Sequence, residues 1–166
     1  MMRIRSVVAG LALLGLVGVR VNAQAHPDFS GVWVLEASKT VVDGQLGAPT
    51  SATYTIRVHG DSVISDRVAE TAQTGTIKSH TVWGTDGKTW KNIIPINGAD
   101  TEISSVLSWD KETLVIKTTL TIQETPIDQL DQWTLSTDGK TLAMKRSISA
   151  MGQEIGASTM FFNKTS

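Results

Sequence analysis

No cysteine occurs among the 166 residues. Its absence excludes a disulfide framework, thiol catalysis, thiol redox work and Cys-ligated zinc. An excess of either charge is lacking too, with 15 Lys+Arg against 16 Asp+Glu for a formal charge of −1. With no basic excess to neutralise phosphates, neither nucleic acid nor an anionic membrane surface is expected as the main partner. Proline numbers 4, phenylalanine 3 and tyrosine 1, whereas tryptophan numbers 5 and glycine 14. With 40% hydrophobic residues, the composition is that of one ordinary globular domain, not of a disordered or collagenous chain.

Long hydrophobic runs are confined to the N-terminus. Arg3 and Arg5 precede an apolar stretch from Val7 to Val19, and small residues follow up to Ala23-Gln24-Ala25. This is the order of a secretory signal peptide. The stretch is 13 residues long, and a spanning helix needs about 20, so no transmembrane anchor is expected. Residues 1–25 read as a cleaved signal peptide and residues 26–166 as the exported domain. The removed part holds Arg3, Arg5 and Arg20 and no acid, which leaves 141 residues with 12 basic and 16 acidic side chains, a charge of −4. A domain of this length buries close to about 70% of its unfolded surface, enough for a stable core without a disulfide or metal.

From Ser30 onward the hydrophobic pattern has period 2, which predicts an all-β domain. The clearest strand is Thr113 to Gln123, with Leu114, Ile116, Thr118, Leu120 and Ile122 on one face and Thr113, Val115, Lys117, Thr119 and Thr121 on the other. Gly60-Asp61, Asp86-Gly87, Asn97-Gly98 and Asp138-Gly139 separate such runs, and residues of this kind supply the positive φ of tight hairpin turns. About ten strands are expected, beginning near residues 31, 52, 62, 75, 88, 101, 113, 130, 141 and 154. An antiparallel up-and-down barrel of about 8–10 strands fits this spacing, and a two-sheet sandwich fits it as well. Ser38 to Ser51, with Gly44, Gly47 and Pro49, reads as one long loop. An outer-membrane barrel would need aromatic girdles and an apolar outward band, which these strands lack.

The opening run Asp28-Phe29-Ser30-Gly31-Val32-Trp33-Val34-Leu35 carries the pattern Phe-x-Gly-x-Trp-x-Leu. It resembles the first strand of the calycins, that is the lipocalins and the intracellular fatty-acid-binding proteins. It is also similar to the opening of small secreted bacterial lipocalin-like proteins, many without an assigned function. The resemblance implies a barrel whose closed end is shaped by Gly31 and plugged by Trp33, with a late-strand arginine, here Arg146, packed across the indole. It also implies a bacterial protein of the periplasm or cell exterior, acting as a monomer. The sequence departs from the family in three places: Ser38 to Ser51 is too short for a helical pair, no late helix follows, and Ile148 stands where the carboxylate-holding Arg-x-Tyr would have its tyrosine. The last departure counts against a fatty-acid ligand.

Alternation supports an inward Arg146 independently, since it shares a face with Leu142, Met144 and Ile148, whereas a register slip would turn Lys145 inward instead. Ser79, Thr81, Ser105, Thr118 and Asp131 fall on inward faces, so a partly polar lumen is expected, or polar groups paired with one another. Trp83, Trp90, Trp109 and Trp133 are the candidate ligand-contacting aromatics, together with Arg146; the competing reading for each is plain core packing. His26, which would start the mature chain, could offer copper an amine and an imidazole, although its neighbours supply no further ligand. His59 and His80 read as solvated strand positions, and Asp66, Glu70, Asp100, Glu102, Glu112 and Glu124 as turn or surface charges. No nucleophile, phosphate-loop, dinucleotide or metalloprotease motif is present, so no catalytic residue, metal or cofactor is assigned. The expected function is binding of a small hydrophobic or amphipathic ligand in the lumen; the alternative is a structural or interaction domain without a cavity.

Overall fold

The computed structural model describes residues 26–44, 47–72 and 75–165. The expected signal peptide, residues 1–25, lies outside the described residues. Among the described residues eleven strands follow one another: β1 (Gly31–Leu35), β2 (Val41–Gly44), β3 (Pro49–His59), β4 (Ser62–Thr71), β5 (Gly75–Gly84), β6 (Thr89–Ile96), β7 (Ala99–Asp110), β8 (Thr113–Ile122), β9 (Thr125–Leu135), β10 (Thr141–Ala150) and β11 (Gln153–Thr165). All pairings are antiparallel and form one sheet in the order β5-β4-β3-β1-β11-β10-β9-β8-β7-β6. The sheet curls into a nearly closed barrel, not a sandwich. Pairing β1 with both β3 and β11 brings the first and last of these strands together, with Trp33 opposite Tyr54 on one side and Lys164 on the other.

The hairpins sit where turn chemistry demands them. Asn97 and Gly98 have φ of 51° and 80°, the geometry of a two-residue Asn-Gly turn. The β8–β9 turn uses Gln123 and Glu124 at φ 47° and 65° with no glycine, and β9 starts at Thr125 instead of near residue 130. Pro126 is tolerated there because it lies at the strand's beginning, where β10 does not yet pair with β9.

The expected Ser38 to Ser51 loop is broken by structure. A 3-10 turn (Ala37–Lys39) leads into β2, which pairs with β11 through Val41↔Thr159 and Val42↔Ser158. β1 occupies the edge of β11 only from Phe162 to Thr165, so β2 covers the next part of an edge that would otherwise expose unpaired backbone groups.

Between β5 and β6 the backbone ladder is interrupted. The Asn92 carboxamide spans the interruption: Val82 N donates to Asn92 Oδ1 at 2.8 Å, and Asn92 Nδ2 donates to Val82 O at 3.0 Å. Nearby, Trp90 packs so closely on Gly84 that a Cβ there would lie 2.5 Å from the indole nitrogen.

The core lies toward the barrel end covered by the N-terminal segment. Phe29, Trp33, Ile56, Leu107, Leu114, Leu142 and Phe162 are buried to within 1% exposure, an aliphatic and aromatic layer that excludes water. Trp33 donates its indole N–H to Phe29 O at 2.9 Å, which ties the plug to the entering chain.

Candidate functional site

Alternation and register sort the lumen into three levels. Near the covered end, Trp109, Leu114, Trp133 and Met144 lie in one cross-strand row. Around mid-height two polar rows follow: Tyr54, Arg67 and Ser79 across β3, β4 and β5, and Asp131 beside Arg146 across β9 and β10. Toward the opposite end the same strand faces present half-buried Ile77, Ile94, Leu120, Ile127 and Ile148. The polar level is a belt between a plug and an aliphatic mouth.

A cavity of about 90 Å³ lies in this belt, bounded by Tyr54, Arg67, Trp83, Trp133, Gln129, Asp131 and Arg146, with Ile94, Ile103 and Ile116 as its apolar wall. Arg146 donates through Nε to Asp131 Oδ1 at 2.7 Å, and Gln129 Nε2 donates to Asp131 Oδ2 at 2.6 Å. Burial alone would lower the Arg146 pKa, but the Asp131 charge and neighbouring Tyr54 outweigh it and raise it, so the guanidinium stays charged. Ser105 and Thr118 hydrogen-bond each other at 2.8 Å, and Thr81 donates to Ser65 O. Among the described residues, three buried donors have no partner: Arg67 Nε, Trp83 Nε1 and Trp133 Nε1. All three belong to residues of this one cavity, and each unmet donor costs about 1–3 kcal/mol unless something in the cavity accepts from it.

The sequence-derived candidates are divided by the structure. Trp83 and Trp133 line the cavity, edge to face with ring centroids 6.0 Å apart. Trp90 does not; it lies half-buried against Gly84, with Asp86 as its hydrogen-bond acceptor at 3.4 Å. Trp109 does not either, being stacked on His26 at 4.1 Å and 4° in the covering segment. Arg146 points inward but is held by Asp131, not across Trp33. The cation over the Trp33 ring is Lys164, at 5.2 Å, because β11 pairs directly with β1 and delivers it there. Gly31, at φ 142°, leaves room for that lysine, since a Cβ would meet Lys164 Cε at 2.5 Å.

His80 binds Asp66 at 2.6 Å on the exposed outer face, and Arg57 binds the other oxygen of the same carboxylate at 2.5 Å. Asp131 is the buried acid of the site, and both its oxygens are occupied by Arg146 and Gln129. Among the described residues no three His, Asp or Glu are grouped to hold a metal ion. Arg67 and Gln129 were not among the expected site residues. Arg67 shares its alternation with Val63 and Ala69, both buried, and that parity is the signal that could have found it.

A larger hollow of about 360 Å³ lies on the outer surface, over Ser104, Val106, Lys117 and Leu130. It holds none of the buried unpaired donors, so the lumen is the better candidate despite its smaller volume.

No protein-family model matches the sequence, and a search of curated proteins finds no match. Among solved structures, a secretary abundant heat soluble (SAHS) protein from Ramazzottius varieornatus is similar at TM-score 0.55 and 12% identity, over 86% of this chain and 98% of that one. Secretory abundant heat soluble protein 4 from the same organism is similar at TM-score 0.50 and 12% identity, over 82% and 94%. A zebrafish ileal bile acid-binding protein complexed with cholic acid aligns more loosely, at TM-score 0.47 and 14% identity, over 82% and 98%. At these identities the likeness is one of fold. It shows an antiparallel β-barrel, the architecture expected from the Asp28 to Leu35 run.

Proposed function

We propose that this is an exported, monomeric, lipocalin-like protein that binds a small amphipathic molecule inside its barrel. The observation that carries the reading is the convergence of Arg67, Trp83 and Trp133, each with an unmet buried donor, on one cavity below an aliphatic mouth. The polar belt orients a ligand and the isoleucines remove its apolar part from water, the division of labour that small-molecule sites use. Export is read from the Arg3 to Ala25 pattern, with His26 as the first mature residue, and the bacterial periplasm or cell exterior is what the family resemblance implies.

Tryptophan fluorescence titrated with a panel of lipids and hydrophobic dyes tests the binding reading. Binding shifts or quenches emission, because Trp83 and Trp133 stand at the cavity. A panel without any response at concentrations that saturate other small barrels overturns it.

One observation favours a second reading, a filled barrel with no ligand. At about 90 Å³ the cavity is smaller than the roughly 300–1,000 Å³ typical of ligand clefts, and Ser105, Thr118, Asp131 and Arg146 are already paired. On that reading ordered water satisfies the three donors and the panel stays silent.

A further inference from the structure

We propose that the outer face of β6 to β10 docks a basic amphipathic segment of a partner protein, seated in a groove that is aliphatic along its floor and acidic at the end nearest the barrel mouth. This surface lies outside the barrel and is independent of what the lumen holds.

Register builds the groove. On the outward parity, Thr89, Val106, Lys117, Leu130 and Ser147 lie opposite one another across five strands, and one step nearer the mouth Lys91, Ser104, Thr119, Asp128 and Ser149 form the next row. The short side chains of Ser104, Ser147 and Ser149 keep the surface low between their neighbours, and the result is the hollow of about 360 Å³ over Val106 and Leu130. A second hollow of about 510 Å³, beside Thr121 and Pro126, continues it toward the mouth. Ser104, Thr119 and Asp128 border both. Beyond the second hollow Ile93 stands 64% exposed, opposite Glu102. The backbone groups of β7, β8 and β9 already pair on both sides, so an occupant is gripped by side chains and not by adding a strand.

Charge selects the occupant. Asp100, Glu102 and Asp128 border the second hollow. Among the described residues only Glu102 of the three has an ion-pair partner, Lys91 at 2.8 Å. Glu70, Glu124 and Glu154 are exposed at the same end of the barrel, so the mouth is negative in a domain whose expected mature charge is only −4. An acidic border repels an acidic partner and an anionic lipid surface, and an aliphatic floor gives a plain polycation nothing to cover. A segment with basic side chains along one side and aliphatic ones along the other satisfies both halves of the groove.

Length agrees with a short helix. From β6 to β10 there are four inter-strand spacings, about 19 Å at about 4.8 Å each. A helix of about 13 residues covers that span at about 1.5 Å per residue.

The probe is a fluorescently labelled amphipathic helix of about 14 residues built from leucine and lysine, titrated into the purified protein with anisotropy as readout. The same peptide with glutamate in place of lysine is the charge control, and spermine is the competitor. The lysine peptide is expected to bind about ten-fold or more tightly than the glutamate peptide, to weaken with added salt, and to resist displacement by spermine. Asp100→Lys combined with Asp128→Lys should weaken it about ten-fold or more, and Leu130→Ser or Ile93→Ser about three-fold or more. Glu70→Lys combined with Glu124→Lys, at the same rim but outside the groove, should change it by less than about two-fold. Circular dichroism checks that each variant is folded, and if one is not, the peptide and competitor series on the unaltered protein decides. Equal weakening by the rim pair would mean diffuse attraction to an acidic end and overturn the groove. Equal binding of the glutamate peptide, displacement by spermine, or no binding of the lysine peptide overturns the basic amphipathic occupant. Dimerisation of the protein alone that Ile93→Ser abolishes would make the occupant a second copy, and the proposal fails.

Discussion

Replacing Asp131 by asparagine leaves the shape of the belt nearly unchanged and removes the charge that Arg146 faces. Breaking a fully buried ion pair from one side costs about 3–5 kcal/mol, because the remaining charge stays desolvated. Here the side chains are 21% and 6% exposed, so the stranded guanidinium keeps some contact with water. Asparagine also retains an acceptor oxygen, recovering a neutral hydrogen bond of about 1 kcal/mol. The expected loss for Asp131→Asn is thus about 2–3 kcal/mol, or a fall in Tm of roughly 6–9 °C at about 3 °C per kcal/mol for a domain of this size. Urea unfolding at neutral pH, followed in parallel by tryptophan emission and circular dichroism, measures it. Replacing both partners, Asp131→Leu with Arg146→Met, removes the unpaired charge along with the pair and should recover most of the loss. A single variant within about 0.5 kcal/mol of the parent, or a double variant no better than the worse single, would refute the account of Arg146 as a cation held by Asp131.

Asn92→Ala removes both hydrogen bonds that span β5 and β6, leaving the Val82 N–H and C=O without those partners. A loss of about 1–3 kcal/mol is expected, together with faster amide exchange at Val82; unchanged protection there would mean the strands are joined by something else. Toward low pH, Asp66 is held below its ordinary 3.8 by hydrogen bonds from His80 and Arg57, Asp28 by those from Ser30, and Asp86 is lowered to about 2 by Lys88. Depressed carboxylates bind protons more readily in the unfolded chain, so stability is level above the ordinary carboxylate range and declines as pH falls from about 4 towards 2. These groups are exposed and the slope is gentle; urea midpoints that begin to fall near pH 6, or that stay level down to pH 2, contradict the assignment.

Alternation made the architecture legible. Along β8, Leu114, Ile116 and Thr118 are buried while Lys117, Thr119 and Thr121 are exposed, as period 2 requires, although Val115 on the outer face is buried as well. The same parity marked Ser105, Thr118 and Asp131 as inward, and all three are within 5% exposure. Parity gives the face, however, and not the neighbour. Arg146 and Asp131 meet because the β9–β10 hairpin sets Leu135 opposite Leu142, a register that the turn at Asp138-Gly139 implies but that the face pattern does not state. Lys164 reaches Trp33 because the first and last long-range strands pair, which no local pattern encodes. β2 was invisible for a related reason: Val41-Val42 is too short to alternate, and it is a strand because β11 has an edge to cover.

The distribution of polar groups along the barrel bears on whether the lumen is a container or a filler. Three unmet donors at about 1–3 kcal/mol each are a large burden for a domain whose net stability is of order 5–15 kcal/mol. The covered end shows that this chain can fill a lumen without them, since Leu107, Leu114 and Leu142 are fully buried there with no polar atom to satisfy. Arg67 therefore occupies a position where an aliphatic residue of similar volume would leave no donor unmet. The burden is concentrated in the belt, next to the aliphatic mouth and beyond the plug that secures the fold, so filling the cavity can recover energy without rebuilding the core. A chain selected for stability alone has no reason to keep an unpaired guanidinium there.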